Sequence, residues 1–210
     1  MPKLGLLSPG YPHQLGMLIY TSSVCEPINP GGIGAYAYVI LDAYGVEIHR
    51  ESGIACIGPG CFNHIGEYTS LIKALKWLLA SGYQGSTITI RSNNTLFINQ
   101  LSGRYMVHSN RLVPLYRRVS SLLEYFMPNF EVVRNNLART IAREAYVKYL
   151  DEHPELVREY SRYFAGEEEV RVLRSMGVEP PRYLSKAEFE RALRKAGYPV
   201  GSPGGARARV

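Results

Sequence analysis

Alternation of apolar and polar positions begins at residue 17 and marks the first elements of the chain. The runs "MLIYTSSV" (17–24), "AYAYVILDA" (35–43) and "VEIHRESGIAC" (46–56) carry the two-residue period of strands. The turn-forming "CEPINPGGIG" and a Tyr44-Gly45 turn separate them. Three consecutive strands on short turns predict an antiparallel meander. After the loop "IGPGCFNHIG" the period changes. Tyr68, Leu71, Ile72, Leu75, Leu78 and Leu79 follow the i, i+3, i+4, i+7 stripe of an amphipathic helix, and Gly82 is placed to end it just past the C-cap.

The pattern then predicts a short strand at Thr87–Ser92, a helix over "NTLFINQL", and a helix over residues 111–126. A strand in "NFEVVRN" and a long helix over residues 137–150 complete the series. The order β-β-β-α-β-α-α-β-α implies an α/β fold, a mixed five-stranded sheet with helices on its faces. The character changes after His153-Pro154. "PELVREYSRYF", "EEEVRVLRSM" and "SKAEFERALRKAG" read as three short helices, the last with a Ser185–Glu188 capping box and a Gly197 stop. The expected organisation is an irregular lead-in over 1–16, a domain over 17–150, a helical extension over 151–198 and a basic, flexible tail over 199–210.

Composition narrows the class. Hydrophobic content of 46% and charged content of 20% are those of a globular protein. No run approaches the roughly 18–20 apolar residues of a membrane span, and the opening "MPKLGLLSPGYPHQ" argues against a secretory signal, so the expected location is cytoplasmic. Charge is uneven. Residues 1–150 hold 13 Lys and Arg against 8 Asp and Glu, a net +5, whereas residues 151–210 hold 11 against 10. A polyanion is the natural partner for the first part, ordinary surface charge being the alternative. Cys25, Cys56 and Cys61 make no zinc pattern. Cys56 and Cys61 are spaced for either a disulfide across a turn or two separate thiols.

Four longer stretches are recognisable: "CEPINPGGIGAYAYVI", "GEYTSLIKALKWLL", "INQLSGRYMVHSNRLVPLYRRV" and "NNLARTIAREAY". In order and spacing, residues 17–150 resemble the archaeal-type branch of type 1 ribonuclease H. The resemblance implies a ribonuclease H-like fold and a nuclease for RNA–DNA hybrids that uses two divalent metals. It also implies four metal-binding carboxylates, on the first strand, the first helix, the end of the fourth strand and the start of the last helix. Carried onto this chain, the positions are Ser22, Glu67, Asn93 and Arg139, so one acid remains. Two hard dications need several anionic oxygens. The expectation is therefore a degenerate, catalytically inactive member with no metal and no cofactor.

An Arg at the old acid position suits a phosphate. Arg139, Arg143, Arg104 and Arg111 are the candidate backbone contacts, each with a solvated surface role as the alternative. Asn63 and His64 match the family's substrate-contacting Asn pair, the His being a departure. Arg207 and Arg209 in "GGARARV" suit a tail that orders within folded RNA. The expected function is a structural RNA-binding component of a ribonucleoprotein such as the archaeal ribosome, with structured RNA, ribosomal RNA foremost, and neighbouring proteins as partners. The alternatives are a residual ribonuclease resting on Glu67, and a protein-interaction module built on residues 151–210.

Overall fold

The computed structural model describes residues 16–198. The strands are β1 (Met17–Glu26), β2 (Ile33–Leu41), β3 (Glu47–Ile57), β4 (Thr87–Ser92) and β5 (Met127–Val132). They form one five-stranded sheet in the order β3-β2-β1-β4-β5. The first three make the expected antiparallel meander, while β4 lies parallel to β1 and β5 parallel to β4. The helices of the domain are α1 (Asn63–Ala80), α2 (Thr95–Leu101), α3 (Val113–Leu123) and α4 (Ala138–Glu152).

The two sheet faces are covered differently. On one, Ile19, Tyr38, Ile40, Ile88 and Ile90 meet Tyr68, Leu71, Leu75 and Leu78 of α1, all buried. Full burial of a side chain of this size contributes roughly 1.5–3 kcal/mol, so this layer is the main store of stability. On the other face the contact is small against small. Ala37 and Val39 of β2 pack on Ala138 and Ala142 of α4, which lets the helix lie close to the sheet. Gly82 follows the α1 cap with φ +81°, as its place in the sequence predicts.

The boundaries of β5 and α3 moved most. β5 starts at Met127 and stops at Val132, because its register pairs Met127 with Thr87 and Val132 with Ser92, so both parallel strands end together. Helix α3 starts at Val113, with Pro114 in its first turn where a missing N–H costs nothing.

The extension consists of α5 (Pro154–Glu159), a 3₁₀ turn (Ser161–Tyr163), α6 (Glu167–Ser175) and α7 (Lys186–Lys195). It lies on the α4 side of the sheet. Tyr160 joins Ile33, Ala35, Tyr146 and Leu150 in one buried cluster, with Leu156, Phe164 and Tyr183 packed against it. The Tyr160 hydroxyl donates to the Gly31 carbonyl at 3.0 Å. The Ser185–Glu188 capping box is present at the start of α7.

Cys56 and Cys61 are joined in a disulfide, which settles the choice that spacing left open. A Cβ on Gly34 of β2 would stand 2.6 Å and 2.7 Å from the two sulfurs, so the bridge needs glycine beneath it. Cys25 is a buried free thiol whose pKa burial pushes up to about 11. Among the described residues no helix is long and apolar enough to cross a membrane.

Candidate nucleic-acid interface

The site follows from an unequal pairing of β1. It bonds to β2 over Leu18–Glu26 but to β4 only over Met17–Tyr20. Beyond Tyr20 the β4-side edge of β1 has no neighbouring strand. The start of α1, the segment after β4 and the segment before α4 converge there, at the point where the sheet changes direction of connection.

Gly66 brings α1 onto this edge, since a Cβ there would lie 2.6 Å from Cβ of Ser23. The Ser23 hydroxyl donates to the Asn63 carbonyl at 2.6 Å and fixes the first turn of the helix. Glu67 is thereby driven into the interior, 2% exposed. Its Oε2 accepts long hydrogen bonds from the Thr21 hydroxyl at 3.4 Å and the Ser92 hydroxyl at 3.3 Å. No cation reaches it among the described residues. Burial pushes its pKa up to about 8, outweighing the hydrogen bonds from Ser92, Thr21 and Ser23, so the carboxyl is protonated at neutral pH.

On β1 the residue that touches Glu67 is Thr21, the neighbour of the Ser22 that matches the family's first acid position. Strand alternation turns Ser22 to the α4 side, where its Oγ is buried without a hydrogen-bond partner. Asn93 and its neighbour divide their work. Asn94 caps α2, its Oδ1 accepting from the Phe97 N–H at 3.1 Å. Asn93 lies toward Asn136, whose Nδ2 donates to the Thr21 carbonyl at 2.7 Å and reaches Asn93 Oδ1 at 3.5 Å. Asn136 ties β1, the end of β4 and the entry to α4 together. It was not singled out from the sequence, although its place two residues before α4 is a familiar Asx position: its Oδ1 accepts from the Ala138 N–H at 3.0 Å.

The cationic candidates separate. Arg139 is exposed, has no hydrogen-bond or ion-pair partner among the described residues, and lines a cleft of about 290 Å³ with Asn63, Glu26 and Arg191. Arg143 is corrected. One helical turn further on, its Nη2 donates to the carbonyls of Arg182 and Tyr183 at 3.0 and 3.1 Å and to Glu188 at 3.1 Å. It anchors the extension and is not available to RNA. Arg104 is exposed after α2, and the Arg111 guanidinium lies over Gly60, 3.3 Å from where a Cβ would stand. His64 is also corrected: its Nδ1 lies 3.1 Å from Asn63 Oδ1, while its Nε2 is buried and unpartnered. Burial lowers its pKa, so the ring is a neutral part of the packing around the first turn of α1. Arg207 and Arg209 lie outside the described residues. Arg191 was missed. Nothing local distinguishes it from its neighbours on α7, and only docking brings it to the cleft.

The divalent metals implied by the resemblance can be tested against these donors. The meeting point of β1, α1 and β4 offers one carboxyl, enclosed and protonated, with the Thr21 and Ser92 hydroxyls and neutral amides beside it. Among the described residues no three His, Cys, Asp or Glu side chains converge as metal ligands. This donor set does not fit a pair of hard dications.

The sheet order and flanking helices define a ribonuclease H-like fold, and solved structures agree. The chain resembles LC11-RNase H1, determined in complex with an RNA/DNA hybrid, at 26% identity and a TM-score of 0.57, covering 64% of this chain and 99% of that one. The N-terminal RNase H domain of rv2228c from Mycobacterium tuberculosis matches at 22% identity and TM-score 0.56, covering 66% of this chain and 98% of that one. RNase H1 from the halophilic archaeon Halobacterium salinarum NRC-1 matches at 22% identity and TM-score 0.55, with 63% and 98% covered. No protein-family model matches the chain.

Proposed function

We propose that this protein is a catalytically inactive ribonuclease H-like protein that holds RNA without cutting it. The observation that carries the reading is Glu67: the one acid left at the old metal positions is enclosed and neutral. Arg139 strengthens it. A guanidinium about 4 Å from a dication costs on the order of 8 kcal/mol at an effective dielectric of 20. The same group is a good ligand for a phosphate. Asn63 and Arg139 on the cleft, with Arg104 and Arg111 beyond it, offer donors to an RNA backbone. The basic excess of residues 1–150 and the Arg-bearing tail favour residence in a ribonucleoprotein, the archaeal ribosome being the abundant candidate.

Two measurements test this. Incubation with an RNA–DNA hybrid and Mg²⁺ or Mn²⁺ is expected to give no cleavage; cleavage abolished by Glu67→Gln would instead establish a residual nuclease. Arg139→Glu is expected to weaken binding of structured RNA by roughly tenfold or more, and wild-type affinity in that variant removes the proposed site. Co-sedimentation of the native protein with ribosomal subunits tests the assembly.

A further inference from the structure

The cleft beside β1 is built by two parts of the chain that are remote in sequence. Ser23, Glu26 and Asn29 belong to β1 and its turn, Asn63 to α1 and Arg139 to α4; Arg191 comes from α7 of the extension. We propose that Arg139 and Arg191 form the two jaws of a pocket for a single phosphate group of single-stranded RNA. This rests on the RNA-binding reading and adds to it that the extension supplies half of the contact.

The free groups on the cleft wall are donors. Arg139 has no partner among the described residues. Arg191 gives Nη2 to Glu26 at 2.8 Å, and its side chain stays 58% exposed, leaving further N–H groups of the fork uncommitted. The Asn63 oxygen is taken by His64, which leaves its amide NH₂ free to donate. The one acid in the wall, Glu26, has both oxygens occupied: Oε1 by Arg191 and Oε2 by the Ser185 hydroxyl at 2.8 Å. Two guanidinium groups against one committed carboxylate leave a net positive, donor-rich hollow. At about 290 Å³ it lies at the small end of ligand sites, suited to a phosphate and its sugar rather than a duplex.

The test uses the full chain and a short single-stranded oligoribonucleotide labelled at its 3′ end, read by fluorescence anisotropy. Arg139→Ala and Arg191→Ala are each expected to weaken binding about tenfold, and the double variant no more than the weaker single one, because both arginines hold one phosphate. Fully additive losses would mean two separate phosphates and overturn the pocket. If Arg139→Ala weakens binding and Arg191→Ala does not, the pocket fails while the RNA-binding reading stands. If the wild-type chain binds a structured RNA but not the oligonucleotide, the pocket fails and the RNA-binding reading stands; if it binds neither, both fail. Ser185→Ala separates contact from docking, since it removes a bond to Glu26 without lining the cleft. Wild-type affinity in that variant supports the pocket, and a loss equal to that of Arg191→Ala overturns it. Comparing 5′-hydroxyl with 5′-phosphate RNA identifies the source: equal affinity assigns an internal phosphodiester, and tighter binding of the 5′-phosphate assigns a terminal one.

Discussion

Two acids on neighbouring elements, Glu67 of α1 and Glu26 of β1, are both buried, at 2% and 9% exposure, and burial raises the pKa of both. They are held in opposite ways. Glu67 is held by the hydroxyls of Thr21 and Ser92 and by Ser23, all uncharged, and by no cation, so it is kept as a neutral acid. Glu26 has a hydroxyl and a guanidinium at 2.8 Å each, which pull its pKa down against burial and the nearby Glu188. The comparison shows where polar organisation sits in this molecule. The enclosed acid pairs with no cation, while the strongly bonded acid locks the extension to the sheet.

The largest effect expected from breaking this contrast is on pH dependence. The folded form holds the Glu67 proton more tightly than the unfolded chain does, so its contribution to stability is complete below about pH 4.5 and is lost as pH rises toward about 8. The slope approaches roughly 1.4 kcal/mol per pH unit within that window. Glu67→Gln, which keeps the shape and cannot ionise, is expected to flatten this part of the profile in urea unfolding. An unchanged slope would show that Glu67 is not the group responsible.

Next in size is Glu26→Ala. It strips the buried Ser185 hydroxyl and the half-exposed Arg191 of their shared acceptor, and losing hydrogen bonds to a charged group costs about 2 kcal/mol. Unfolding midpoints and limited proteolysis after residue 153 would report it, with the extension cut first. A variant as stable and protease-resistant as the parent would refute the lock. The smallest effect, about 1–2 kcal/mol, is expected for Gly66→Ala, whose Cβ must push α1 away from Ser23. That shift lets water toward Glu67, so its titration should move to lower pH. Loss of stability without that movement would separate helix packing from the burial of the acid.

Much of this architecture was legible locally. The apolar stripe of α1, the Gly82 stop, the Ser185–Glu188 box and the β4 strand all depend on neighbours within a few residues, and they stand where the pattern put them. That Asn93 is uncharged was also plain, because a residue's charge is a property of its letter. The face of β1 was not. Thr21, Ser22 and Ser23 are three small polar residues in a row, so alternation carries no signal there, and only the contact with α1 decides that Thr21 meets Glu67. Arg143 failed as a candidate for a related reason: helical spacing put it near Arg139, but the carbonyls that occupy it lie about 40 residues further along.

The sequence by itself determined the order of elements, the mixed sheet they build and the uncharged or basic character of Ser22, Asn93 and Arg139, since periodicity and side-chain chemistry are local. Tertiary structure alone decided that Glu67 is sealed and neutral, that Arg143 anchors the extension, and that Arg191 shares a cleft with Arg139. Each of these depends on groups far apart in the chain, such as Glu26 and Arg191, 165 positions apart, whose meeting is set by packing and by the need to pair buried polar atoms.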